Sequence, residues 1–322
     1  MPSNPGLDGV IVQWGDRLFY PANRMVRSST PKLTARALQE RAAALRSRIR
    51  ATVVRRAPQV MVKVTGGGRG MQAIVAHFRY ISKNGRLAIE DEHGEQTRGR
   101  ETVRELADDW RLGGTRIDDV GDRREAFNIM LSMPRGVDAS TVQRAAREFA
   151  RQELADHKYV MVLHDHQANP HVHLSVRAES KHGKRLNPRK EDLHRWRDTF
   201  AQKLRGWGID AEATRQATRG IRGKDEPLWR IKAQKDGRLA KPKARIENSR
   251  TMTNDRIQAL EAWARLAEAL SASPDPSDRT LGAAVGVFVR SMTAPRDMLS
   301  EPIRSGPSRE PGRAPEGPDV LR

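Results

Sequence analysis

The chain of 322 residues contains no cysteine, which excludes disulfide staples and thiolate chemistry and suits a reducing cytoplasm. Aromatic residues make up only 5%, and the three tyrosines are Tyr20, Tyr80 and Tyr159. No apolar run approaches the length of a membrane span, and the start Met-Pro-Ser-Asn-Pro-Gly has no apolar signal segment, so a soluble, cytoplasmic protein is expected. Acidic residues are also in short supply: 59 Lys and Arg face 40 Asp and Glu, a formal charge of +19 with a pI near 10.9. Such an excess points to a polyanionic partner. Its spread along the whole chain, not along one amphipathic helix, favours nucleic acid over a membrane surface. With 37% hydrophobic and 31% charged residues, one modest core with solvated extensions is expected. No internal repeat is present. The glycine-rich stretch Gly66 to Gly70 lacks the Gly-Lys-Ser/Thr ending of a P-loop, so nucleotide hydrolysis is unsupported.

What the chain does have is histidine, concentrated in one place. Four of its nine histidines lie within ten residues, in His164-Asp-His166-Gln-Ala-Asn-Pro-His171-Val-His173. Residues 158 to 164 and 171 to 177 are rich in β-formers around a polar, Pro-containing segment, which predicts a hairpin. Side chains alternate along a strand, so His171, His173, Ser175 and Arg177 share one face, and Val172, Leu174 and Val176 the other. A symmetric turn sets His164 opposite His171, with Cβ atoms about 4.5 to 5.5 Å apart. Three imidazoles then converge, and three protein ligands with open positions are the pattern of a catalytic metal site. His166 sits in the turn and is not expected as a ligand. A polar hairpin with exposed histidines is the bland alternative.

The rest of the chain reads as elements around this hairpin. Residues 1 to 30 carry little pattern. A basic helix is expected over 31 to 56, either as a solvated face or as a DNA-contacting arm. Further expectations are a strand over 60 to 65, a helix from Met71 to about Lys83, a helix around 99 to 111 and a strand over 127 to 133. A helix capped by Asp138 or Ser140 should run to about Leu154, and an amphipathic helix from about Arg189 to Arg205. Beyond about residue 224 come a basic segment, a helix over 254 to 270 and a short apolar helix over 281 to 289. A Pro-punctuated tail over 292 to 322 should be disordered. The free amides of the Gly66 to Gly70 loop, which includes Arg69, would suit a phosphate at the start of the following helix, and a flexible connector is the equal alternative.

Tyr80 stands apart from the other tyrosines. Met71, Ile74, Val75, Phe78 and Ile81 form one apolar stripe at helical spacing, and Tyr80 falls on the opposite side, beside Ala73 and Ala76. Its hydroxyl is therefore expected in solvent, as an attacking group requires and as any surface tyrosine would also have it. Tyr159 alternates with Met161 and Leu163 and reads as core. A phenol ionises near pH 10, so forming phenolate at neutral pH costs about 4 kcal/mol. A metal that polarises a phosphate could offset that cost.

Taken together, Thr65-Gly-Gly-Gly-Arg-Gly-Met, His77-Phe-Arg-Tyr80-Ile-Ser-Lys-Asn-Gly-Arg-Leu, Leu131-Ser132-Met-Pro-Arg-Gly, His164 with Pro170-His171-Val-His173-Leu, and Arg219-Gly-Ile resemble the HUH relaxases of conjugative and mobilisable plasmids. The likeness is to the MOB-P type that takes in T-DNA border endonucleases, and it covers about residues 58 to 222. It implies an α+β fold, a central antiparallel β-sheet flanked by helices, here with a helical and disordered C-terminal extension. It divides the chain into a basic N-terminal extension (1–57), a relaxase domain (58–224), a basic and helical extension (225–291) and a Pro-rich tail (292–322). It implies a transesterase that nicks one strand at a transfer origin, with Tyr80 as nucleophile and a covalent 5′-phosphotyrosine adduct. His164, His171 and His173 would be the ligands of a divalent metal, Mg or Mn first, with Zn or Ni as alternatives. Ser132 matches a motif residue at the DNA, and Arg69 and Arg177 are further DNA-contact candidates. The family often places an acid at positions matching His166 or Ala168. Here the acid is Asp165, the candidate for orienting a ligand or activating Tyr80. Tyr80 precedes the histidine pair, which separates the chain from rolling-circle initiators. Implied partners are origin DNA, accessory nicking proteins and type IV secretion coupling proteins, with export alongside DNA. A non-catalytic basic DNA-binding accessory protein and a nuclease using metal-bound water are the alternatives.

Overall fold

The computed structural model describes residues 5–20, 33–214, 218–219 and 254–293. Within them the chain runs α1 (Pro5–Phe19), α2 (Ala35–Val53), β1 (Met61–Gly66), α3 (Met71–Ile81), β2 (Ile89–Asp91), β3 (Gln96–Thr97), α4 (Arg100–Leu112), β4 (Ala126–Ser132), α5 (Ala139–Glu153), β5 (His157–His164), β6 (His171–Ser180), α6 (Lys190–Gly206), α7 (Asn254–Ser271) and α8 (Pro276–Thr293). The six strands make one sheet in the order β1-β4-β6-β5-β2-β3, with every neighbouring pair antiparallel. This is the α+β architecture expected from the sequence.

Strand alternation divides the sheet's side chains between two cores. Ile129, Leu131, Tyr159, Met161, Val172, Leu174 and Val176 face α5 and α6, meeting Val142, Phe149, Trp196 and Phe200. Burying each such side chain contributes about 1.5–3 kcal/mol. Ala126, Val160 and Val162 face the other way, against Met71, Ile74, Phe78 and Ile81 of α3 and Val103 and Trp110 of α4. Phe78 and Trp110 meet edge to face with centroids 4.9 Å apart. The apolar stripe of α3 is thus buried as its spacing predicts, and Tyr159 is core.

The N-terminal and C-terminal helices build a separate core. Ile11 and Leu18 of α1, Leu45 and Ile49 of α2, Trp263 and Leu266 of α7, and Val285 of α8 pack together. Arg46 clasps the layer, reaching Asp8 at 2.8 Å and Asp278 at 2.9 Å. Links to the sheet domain run from Arg48 to Asp198 (3.1 Å) and Glu212 (3.3 Å), and from Arg55 to Asp210 (2.6 Å). Thr218 adds two bonds, its hydroxyl donating to Leu18 O at 2.9 Å and its carbonyl accepting from Trp263 Nε1 at 2.8 Å. Helix α2 is therefore half core, and several of its arginines are met by acids of the same chain.

Four elements depart from the sequence reading. Helix α1 occupies a region expected to lack pattern. The short strands β2 and β3 were not expected at all. Helix α8 begins at Pro276 and runs to Thr293, well past both ends of the expected segment and into the first residues of the expected tail. The expected basic segment after residue 224 and the tail beyond 293 lie outside the described residues.

Two outcomes follow from this packing. Phe149, wholly buried between Trp196 and Phe200, should cost about 3–5 kcal/mol when replaced by alanine, read as a lower urea midpoint. Asp138 caps α5, accepting from Ser140 Oγ at 2.6 Å, Thr141 N at 2.7 Å and Thr141 Oγ1 at 2.7 Å. These bonds, that of Ser140 foremost, hold its carboxyl down to about 2. A depressed carboxylate gives stability that is complete above its ordinary range near 3.8 and is lost as pH falls toward 2. Asp138→Ala should lower the melting temperature at neutral pH, and the gap to the parent should close between about pH 4 and pH 2.

Candidate functional site

The β5–β6 register places His164 opposite His171 and Val162 opposite His173, so all three imidazoles stand on the α3 face of the sheet. Their ring centroids are 5.0 Å (His164 to His171), 4.6 Å (His164 to His173) and 5.0 Å (His171 to His173) apart. All three are buried, and one nitrogen from each lies within 4.8 Å of the others, so modest side-chain rotation would bring them onto one ion. His166 lies in the exposed turn, its ring 5.1 Å from that of His164.

Backbone carbonyls assign the ring protons. A carbonyl only accepts, so His164 donates through Nε2 to Ile81 O at 2.7 Å, and His171 donates through Nδ1 to Asn169 O at 2.9 Å. Among the described residues, His164 Nδ1 is left buried with no partner, and so is His173 Nδ1. Burial, helped by the neighbouring imidazoles, pushes His173 down to about 3; burial lowers His164 too. Neutral imidazoles with buried, unanswered nitrogens fit a divalent metal. The all-nitrogen donor set admits Mn, Zn or Ni, and phosphate oxygens in the open positions would also suit Mg.

Tyr80 is on the last turn of α3 and 68% exposed. Its ring lies 6.2 Å from that of His173, at 81°. The next residue, Ile81, is the one whose carbonyl holds His164, so a single hydrogen bond ties the helix bearing the phenol to the imidazole cluster. His77 was not singled out from sequence. It stacks on Tyr80 (6.2 Å, 29°), lies edge-on to His173 (6.3 Å), and has its Nε2 buried without a partner. Burial pushes it down to about 4. The signal for it was its position three residues before Tyr80, one helical turn away on the same side.

The other expected residues are scattered. Ser132 pairs across from His171, and its hydroxyl approaches Pro170 O at 3.4 Å, so it borders the cluster. Asp165 is exposed just past the end of β5. Arg69 is exposed in the loop before α3. Arg177 is buried near the far end of β6 and donates to Trp110 O and Thr115 O, holding the end of α4 against the sheet. The Gly66 to Gly70 loop is neither a free cradle nor a loose connector. Met71 N and Gln72 N, at the head of α3, already donate to Asp118 O and Asp119 O at 2.9 and 3.2 Å. A Cβ at Gly70 would meet Asp119 O at 2.4 Å, so the glycine permits a tight backbone crossing.

Comparison with known proteins bears on the same region. Residues 80–209 match the family model for the relaxase, MobA/VirD2-like, nuclease domain. The T-DNA border endonuclease VirD2 of Rhizobium radiobacter is 24% identical over 211 residues, covering 59% of this chain and 49% of the relative. Its counterpart from Agrobacterium fabrum (strain C58) is 25% identical over 183 residues, covering 51% and 41%. The chain thus spans about half the length, or less, of these curated relatives. The matched segment runs from Tyr80 through all three histidines of the buried cluster, so the likeness to the MobA/VirD2-like relaxase nuclease domain falls on the same stretch of chain that builds the site.

Proposed function

We propose that this protein is a site- and strand-specific DNA endonuclease, a relaxase that nicks one strand at a transfer origin and keeps the 5′ end on Tyr80. The observation that carries the reading is the solvent-exposed phenol 6.2 Å, ring to ring, from an imidazole of the buried three-histidine cluster. A net charge of +19 supports a polyanionic substrate.

In the proposed reaction, Tyr80 Oη attacks the phosphorus of the scissile phosphodiester. An oxygen–phosphorus bond forms to the phenol as the bond from phosphorus to the 3′-oxygen breaks. The phenol gives up its proton, and the departing 3′-oxygen takes one up. His164, His171 and His173 would hold the divalent ion. When bound, that ion draws electron density from a phosphate oxygen and lowers the cost of phenol ionisation. The Ile81 carbonyl keeps His164 in the tautomer that presents Nδ1 to the cluster, and the same bond fixes the end of the helix that carries Tyr80. In this reading Ser132, bordering His171, would position the strand, and Arg69, exposed before α3, would meet a phosphate there. Asp165 remains the acid nearest the cluster in sequence and would act from the exposed turn. In this reading the nicked strand serves conjugative transfer or mobilisation, with accessory nicking proteins and a type IV secretion coupling protein as partners, and the protein leaves the cytoplasm attached to the DNA.

Incubated with labelled single-stranded origin DNA and Mn or Mg, the protein should yield a covalent adduct that survives denaturing electrophoresis and that Tyr80→Phe abolishes. Cleavage without retained DNA would instead indicate a water-using nuclease, and no adduct from the parent would overturn the reading. Metal titration by calorimetry should show one site per chain, with affinity reduced at least about tenfold by His171→Ala or His173→Ala and kept by His166→Ala.

A further inference from the structure

Lys83, Asn84 and Gly85 follow α3 with φ of 51°, 57° and 82°, an uncommon run of left-handed residues. Gly85 is needed there on two counts. Its φ favours glycine, and a Cβ would meet Gly99 at 2.4 Å and Arg100 N at 2.8 Å. Gly99 N donates to Gly85 O at 3.0 Å, which locks the turn after α3 to the junction between β3 and α4. The crossing gathers Arg79, Lys83 and Arg86 from one segment with Arg98 and Arg100 from the other. All five are exposed, and none makes a salt bridge or side-chain hydrogen bond among the described residues. Arg104, one turn further along α4, is paired with Glu101 at 3.1 Å. The patch begins at Arg79, the neighbour of Tyr80 in the last turn of α3.

We infer that this double turn is the phosphate-tracking surface for the single strand next to Tyr80, a proposal that rests on the relaxase reading. A strand whose phosphorus meets Tyr80 must carry its neighbouring phosphates past the end of α3. Held backbone and unpaired cations meet them there. The bond from Gly99 N to Gly85 O holds the two backbones together, so the positions from which the cations extend are set before DNA arrives and less ordering cost falls on binding. Recognition here is of phosphate spacing and not of base identity.

The test uses the full chain carrying Tyr80→Phe, so that no covalent capture interferes, and a fluorescent mixed-sequence single strand of about 20 nucleotides, titrated across a salt series by anisotropy. Replacing Arg86, Arg98 and Arg100 together by alanine should weaken binding about tenfold or more at low salt and reduce the slope of log affinity against log salt by about 2. Arg104→Ala should leave both unchanged. An unchanged slope in the triple variant, an equal loss in Arg104→Ala, or a loss seen on duplex but not on single strand would each overturn the surface. These are exposed positions, so equal melting temperatures should accompany the loss. The adduct assay on the Tyr80 parent separates the two claims: no adduct with the slope change intact removes the transesterase reading and leaves the DNA surface standing.

Discussion

The pairing of His164 with His171 across the β5–β6 hairpin fixes nearly everything else about the site. Side chains alternate along both strands, so a slip of one residue would send the imidazoles into the apolar core under α5 and α6, and valines and leucines into the cluster. That register is held from both sides. Val172, Leu174 and Val176 demand burial against Phe149 and Trp196, while β4 pairs along the same strand with Ser132 opposite His171. Hydrophobic pattern thus sets the position of polar chemistry, and the histidines themselves need contribute little to folding.

The same logic extends to the phenol. Helix α3 buries Met71, Ile74, Phe78 and Ile81, which turns Tyr80 outward, and the carbonyl of Ile81 then accepts from His164. The exposed phenol and the imidazole cluster come from segments more than eighty residues apart and are joined by one hydrogen bond from His164 to a backbone carbonyl. Linkage makes such a joint reciprocal: whatever steadies the imidazole cluster steadies the end of α3, and the converse.

How much of this could be read from sequence depends on whether the governing interaction is local. Alternation in β5 and β6 and the 3.6-residue stripe of α3 are local, so the convergence of three histidines, the exposed tyrosine and the central antiparallel sheet were legible. Helix α1 was not, because Gly6, Gly9 and Gly15 dilute its pattern and its apolar residues find their partners in helices distant in sequence, α7 foremost. Strands β2 and β3 are too short to show alternation, and β2 exists because Glu90 and Asp91 pair with Met161 and Val160. The Met71 and Gln72 amides that follow the glycine loop and the Arg177 guanidinium were free in sequence terms and are committed in space to carbonyls of residues 110 to 119. His77 was visible only once Tyr80 had been chosen as the centre of the site.

Strand β1 sits at the edge of the sheet, hydrogen-bonded only to β4 among the strands. The segment that matches the relaxase family begins at Tyr80, within α3, and so omits β1 and most of the helix behind the phenol. A fragment cut at the limits of that match would bare the hydrogen-bonding edge of β4 and leave Phe78's partners open, inviting strand addition from a second molecule. The smallest unit able to stand alone therefore has to be drawn from sheet order, starting upstream of Met61, and not from the boundaries of family likeness.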